Sequence, residues 1–298
     1  MGFFKRIFMM ILTNILIVAI LGLVWAVIST VFGLGSVDGE SMAPLMVLAL
    51  IWGFGGAFIS LLLSKQFAKW FQGVRVISPD DPGADARWLL STVHRLAGQA
   101  GITGMPEVGI WDSPEVNAFC TGATKNSSLV AVSTGILQRM NKDELEGVLA
   151  HELSHAANGD MVTMTLIQGV VNSFVIFFSF VLARLLVRGN NRNRGGSFLE
   201  FIVRQVLMMV LGLLAGVLVL YPFSRWREFR ADKGGANLAG KGKMIAALRA
   251  IQDTFRLPQG APAPSPALAT MKISSGGRNS LFSTHPSLDE RIEALERL

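Results

Sequence analysis

Four stretches of the 298-residue chain contain no Asp, Glu, Lys or Arg: Ile7 to Ser36, Ser41 to Ser64, Met161 to Ala183 and Gln205 to Ser224. Each reaches the roughly 20 residues that a membrane-spanning helix needs. The pattern therefore predicts four apolar helices arranged as two hairpins with a polar segment between them. The first run is longer than the apolar core of a cleaved signal, and a second run follows almost at once, so it reads as a signal anchor. Between the hairpins the periodicity changes. Ala86, Leu89, Leu90, Val93, Leu96 and Ala97 recur at helical spacing. Pro106 to Ile110 and Ser128 to Val132 read as short strands, and Val116 to Gly122 as a third, with Gly122 and Lys125 to Ser128 as its turn.

From Asn141 the pattern is helical again. Asn141 stands as a cap, Glu144 completes a capping box, and Leu145, Val148 and Leu149 form an apolar stripe. A Pro, Ala and Ser-rich stretch, Leu257 to Gly277, precedes a last helix in which Ser287 and Glu290 form a second capping box and Leu288, Ile292 and Leu295 a stripe. The expected fold class is a mainly α integral membrane protein whose polar domain carries a small β-sheet. Its expected organisation is a transmembrane hairpin (1–64), the first part of a polar domain (65–160), a second membrane hairpin (161–224) and the second part of that domain (225–298).

Composition supports this picture: 51% of the residues are hydrophobic and 16% charged, too apolar a balance for an ordinary soluble domain. The net charge of +6 raises the question of nucleic acid. No nucleic-acid-binding motif accompanies it, and many of the basic residues (Lys5, Arg6, Lys65, Lys69, Arg75, Arg225, Arg227) flank apolar runs, where anionic lipid headgroups are the natural partner. Basic residues on both flanks of the first hairpin, with Asp38 and Glu40 in its loop, place both of its ends in the cytoplasm. The second hairpin conflicts with that rule, because its loop region carries Arg184, Arg188, Arg192, Arg194 and Arg204. The single cysteine, Cys120, leaves the fold without an internal disulfide.

The chemistry is concentrated in His151-Glu152-Leu153-Ser154-His155. Two imidazoles four residues apart lie on one helical face, as two ligands of one zinc ion require, and Glu152 lies beside them as a general base. A catalytic zinc usually has three protein ligands and one water. His94, in an apolar-periodic helix, is better read as a packing residue. Glu228 and Asp232 offer carboxylates at i, i+4 spacing, although Arg225, Arg227, Arg230 and Lys233 make an exposed, salt-bridged helix the competing reading.

HELSH, followed by SRWREFRAD (Ser224 to Asp232) and THP (Thr284 to Pro286), resembles the HtpX family of membrane zinc endopeptidases, relatives of the CAAX prenyl proteases and gluzincins. The resemblance extends over essentially the whole chain. It implies a gluzincin-like, mostly helical protease domain with one zinc ion per chain, held by His151, His155 and Glu228. Asp232 would support the site, Asn117, Ala118 and Phe119 would hold the substrate backbone, and His285 would stabilise the oxyanion. Tyr221 reads as an interfacial anchor, although it lies seven residues before Glu228 on a similar helical face, which leaves the oxyanion role open between it and His285. The implied function is cleavage of misfolded or damaged membrane proteins in quality control, at the bacterial inner membrane, with the catalytic domain facing the cytoplasm. The alternative is an inactive membrane scaffold with a vestigial metal site. A metal transporter would need polar ligands along its spans, and Gln168 and Asn172 are nearly all they offer.

Overall fold

The computed structural model describes residues 3–34, 42–81, 83–187, 196–256 and 285–298. The loop acids Asp38 and Glu40, Arg188, Arg192 and Arg194, the Leu257 to Gly277 stretch and Thr284 lie outside the described residues. The chain divides into two compact units, one of Met1–Leu61 with Thr163–Leu220, the other of Leu62–Val162 with Tyr221–Leu298.

The first unit contains α1 (Phe3–Val31), α2 (Ala43–Leu62), most of α7 (Asp160–Val187), α8 (Gly196–Ala215) and a π-helical turn (Gly216–Leu220). Among the described residues, three helices, Ala43–Leu62, Asp160–Val187 and the continuous Phe198–Ala239, are long and apolar enough to cross a membrane by length and composition, and Ile15–Val31 is a shorter apolar helix. Small residues let α2 and α7 approach closely. A Cβ built on Gly53 would lie 2.2 Å from Ser173 Oγ and 2.9 Å from the Gly169 carbonyl oxygen, and one on Gly169 would meet the Phe54 ring. Packing of this kind associates helices where lipid supplies no hydrophobic drive. Large apolar side chains such as Phe174, Met209, Leu213 and Leu218 stay exposed on these helices. Two of the conflicting arginines have partners within the hairpin. Arg184 lies 4.0 Å from Glu200, and the Arg204 guanidinium stacks 4.2 Å from the Phe180 ring centroid.

The second unit begins with α3 (Ser64–Phe67) and a π-helical turn (Ala68–Gln72), and its sheet comprises β1 (Arg75–Val76), β2 (Glu107–Trp111), β3 (Ala118–Thr124) and β4 (Ser127–Ser133) in the order β1-β2-β4-β3. The β2–β4 pair is parallel and the others antiparallel. The three longer strands fall where the pattern puts them. The two-residue β1 has no pattern of its own and exists by pairing with Ile110 and Gly109. Side chains alternate across the sheet. Val108, Ala118, Val130 and Val132 join the main core with α4 (Ala84–Gln99) and α6 (Lys142–Ala157). Trp111, Phe119, Leu129 and Ala131 pack on the other face with Ala68 and Val74. The central strand β4 is thus covered on both faces, whereas β3 is an edge.

After α6 come α9 (Tyr221–Ala239), α10 (Lys241–Arg256) and α11 (Leu288–Glu296), with a short α5 (Thr134–Arg139) before it. Both expected capping boxes form, at Asn141 with Glu144 and at Ser287 with Glu290. Ile292 and Leu295 of α11 pack on Met244 and Leu248 of α10.

Candidate metal centre

Helix α6 carries HELSH and is buried along most of its length, from Leu145 through Ala156. Close approach of its neighbours depends on glycine. A Cβ on Gly147 would sit 2.5 Å from the Lys243 carbonyl oxygen on α10, and one on Gly235 of α9 would sit 3.1 Å from His151 N and 3.3 Å from its Cα. Helix α9 turns Ser224, Glu228, Ala231, Asp232 and Gly235 inward, while Arg230 and Lys233 are exposed. The two carboxylates therefore lie on the buried stripe, and the exposed salt-bridged reading of this helix is set aside.

Three donor groups converge. His151 Nε2 and His155 Nε2 are 3.2 Å apart, and they lie 3.5 and 3.4 Å from Glu228 Oε2 and Oε1. One ligand atom from each residue falls within 4.8 Å of the others. The opposite edges of the rings are tied down. His151 Nδ1 is 2.9 Å from Asp232 Oδ1, and His155 Nδ1 is 2.6 Å from Asp160 Oδ2. A carboxylate accepts only from a protonated nitrogen, so each Nδ1 donates and each Nε2 lone pair is aimed inward, the tautomer a metal requires. Among the described residues, buried Glu228 Oε2 also lacks a well-directed hydrogen bond. The donor set fits a divalent metal: two borderline-soft nitrogens and a carboxylate, each supported from behind.

Without a metal, protons take its place. Burial alone would lower the His151 pKa, but the hydrogen bonds to Asp232 and Glu228 outweigh it and raise it to about 9. His155 is shifted upward for the same reasons, against burial and through Asp160 and Glu228. Burial, and then the nearby Glu152 charge, push the Cys120 thiol up, which disfavours a thiolate beside the site.

Glu152 is buried next to the cluster, and its Oε2 accepts from the Cys120 backbone N–H at 3.0 Å. The Cys120 amide thus points to the open side of edge strand β3. Asn117, just before that strand, is buried, and its Oδ1 has no hydrogen-bond partner among the described residues. Ala118 and Phe119 are also buried, the first in the main core and the second against Trp111. His285 Nδ1 comes within 2.9 Å of Glu228 Oε2, so this histidine joins the cluster. His94 does not: its Nε2 lies 3.2 Å from the Pro106 carbonyl oxygen, a packing role as expected. Tyr221 is half-buried at the head of α9.

Two residues of the site escaped the sequence reading. Asp160 follows Gly159, whose φ of 70° ends α6 in the left-handed turn that glycine favours, and it begins the next helix. Arg291 is fully buried, with Nε and Nη2 donating to Asp232 Oδ2 and Oδ1 at 2.7 and 2.6 Å. One signal pointed to it. Arg291 lies three residues after Leu288 and four before Leu295, inside an apolar stripe, and a buried charge there demands a buried counter-ion.

The chain matches the family model described as Peptidase family M48 over residues 83–298. A "Protease HtpX homolog" of Bacillus pumilus is 49% identical over 299 residues, covering 98% of this chain and 99% of the relative. The namesake in Bacillus subtilis is 48% identical over 302 residues, with 98% and 99% covered, and "Protease HtpX" of Idiomarina loihiensis is 46% identical over 296, again with 98% and 99% covered. Among solved structures, S. mikatae Ste24p superposes with a TM-score of 0.64 at 19% identity, over 99% of this chain and 66% of that one, a likeness of fold.

Proposed function

The chain belongs to peptidase family M48 and is a membrane-embedded metalloprotease, and on that premise we propose that His151, His155 and Glu228 hold one catalytic zinc ion and that Glu152 is the general base. The observation that carries this reading is the convergence of two Nε2 lone pairs and a buried carboxylate, with both Nδ1 atoms committed to Asp232 and Asp160. When bound, such a metal supplies a Lewis acid that lowers the pKa of water and polarises a peptide carbonyl.

The chain's own residues do the rest. Glu152 takes the proton of the attacking water and delivers it to the leaving amine. The Cys120 N–H holds that carboxylate beside the cluster at 3.0 Å. An extended substrate pairs with the open edge of β3, where Asn117, Ala118 and Phe119 meet its backbone. The Asn117 Oδ1, without a partner among the described residues, supports this as an acceptor for a peptide N–H. His285, whose Nδ1 lies 2.9 Å from Glu228 Oε2, stabilises the oxyanion from its other ring nitrogen. Asp232 and Asp160 orient the ligand histidines.

Recognition through backbone pairing gives affinity with little sequence preference, which suits misfolded or damaged membrane proteins as substrates. Basic residues flanking the first hairpin support a catalytic unit on the cytoplasmic side of a bacterial inner membrane. The test compares wild type with Glu152→Gln on an unfolded substrate, with zinc present. The variant should keep its metal and lose nearly all cleavage. Turnover at the wild-type rate would refute the assignment of the base.

A further inference from the structure

We propose that Arg291 is a positioning residue of the metal centre, aiming Asp232 at His151 so that the histidine presents Nε2 to the metal. The proposal rests on the zinc reading above. The two carboxylate oxygens of Asp232 are used unequally. Oδ2 takes only the Arg291 Nε hydrogen bond, at 2.7 Å, whereas Oδ1 takes both Arg291 Nη2 at 2.6 Å and His151 Nδ1 at 2.9 Å. A planar guanidinium engaging both oxygens fixes the rotation of the carboxylate as well as its position. That rotation determines where Oδ1 points, and hence the angle of the His151 ring. The same guanidinium lies 3.4 Å from His151 Nδ1 through Nη2 and 3.6 Å from Glu228 Oε2 through Nη1, so it borders two of the three ligand residues.

Docking of α11 does not by itself require this arginine. The helix is also held by Ile292 and Leu295 on Met244 and Leu248, by Arg249 with Glu296 at 3.0 Å, and by Gln252 with Asp289 at 2.7 Å. An apolar residue at position 291 would pack α11 onto the same stripe, yet the position carries a fully buried charge aimed at the back of a ligand. Arg291 lies 140 residues from His151 in sequence. The end of the chain thereby bears on the geometry of the HELSH helix.

The experiment is a double-mutant cycle on the purified full-length protein, read as zinc affinity by chelator competition and as the thermal midpoint of the metal-free form. Arg291→Lys keeps the charge and loses the fork. It should weaken zinc binding about 10- to 100-fold, the usual cost of disturbing a ligand's support, and the metal-free midpoint records separately what the lost buried hydrogen bonds cost the fold. In an Asp232→Asn background the same substitution should change affinity by less than about twofold, because Arg291 acts through Asp232. Additive losses in the two backgrounds, or zinc affinity unchanged by Arg291→Lys, would overturn the proposal. Should Arg291→Lys fail to fold, Arg291→Met combined with Asp232→Asn removes both buried charges together. That pair should bind zinc as Asp232→Asn alone does, and a further large loss would overturn the proposal. Wild-type protein that bound no zinc would overturn the metal reading itself, an outcome distinct from any pattern within the cycle.

Discussion

Replacing Gly235 with alanine tests whether the spacing of α6 and α9 sets the metal geometry. The added Cβ would lie 2.8 Å from Met244 Sδ, 3.1 Å from His151 N and 3.3 Å from His151 Cα. The thioether can swing away, but the other two atoms are helix backbone. Restoring ordinary contact needs a separation of about 0.3 to 0.5 Å between the helices, about twice the tolerance of roughly 0.2 Å that metal–ligand bonds allow. Glu228 sits seven residues earlier on the same rigid helix and moves with it. Two stability effects oppose each other: alanine favours the helix by about 1 kcal/mol over glycine, and overpacking costs about 1 to 3 kcal/mol. The net is a loss of about 0 to 2 kcal/mol, too small to unfold the unit. Zinc affinity should nevertheless fall about 10-fold or more. Gly98→Ala, at an exposed glycine of α4 with no atom within 4 Å of the added Cβ, serves as the control and should stabilise slightly without touching zinc. Chelator competition and thermal unfolding of both variants provide the assay. Gly235→Ala with wild-type zinc affinity would refute the claim that interhelical spacing sets the site.

Three further outcomes follow from the same geometry. Glu228→Ala should abolish zinc retention and activity, whereas Asp232→Ala should lose about 10- to 100-fold, as expected for residues that orient a ligand; metal content after dialysis separates them, and a zinc-replete Glu228→Ala protein would reverse the two roles. Asp160→Asn should weaken zinc binding through His155 over the same range, checked by the same competition. Because His151 and His155 are shifted toward protonation in the metal-free protein, zinc must displace protons near pH 7, so affinity should rise with pH up to about 9; calorimetry in buffers of different ionisation enthalpy should show proton release, and none would contradict the cluster's electrostatics.

The parts of this molecule that were legible in the sequence are those governed by local periodicity. The apolar runs, the stripe of α4, both capping boxes and the HELSH face depend on residues within a turn or two of one another, and all formed where the pattern placed them. Burial of Glu228 and Asp232 was not decidable that way, since the basic residues around them kept an exposed helix open as the competing reading. Only the packing of α9 against α6 resolves it. Arg291 and Asp160 were missed for related reasons. Arg291 finds its partner 59 residues away, on a different helix. Asp160 stands at the boundary between a polar helix and an apolar run, where a carboxylate reads as an ordinary helix start. Strand β1 is two residues long and is defined by its partner alone.

The central claim is that two imidazoles and one carboxylate hold the metal, and X-ray absorption at the zinc edge on Glu152→Gln protein addresses it directly, because removing the base silences proteolysis while leaving the ligands in place. The account predicts one zinc per chain with two imidazole nitrogens at about 2.0 to 2.1 Å, carboxylate oxygen at about 2.0 to 2.2 Å and four-coordinate geometry. A sulfur scatterer at about 2.3 Å, which would bring Cys120 into the coordination sphere, or a single imidazole, would contradict it.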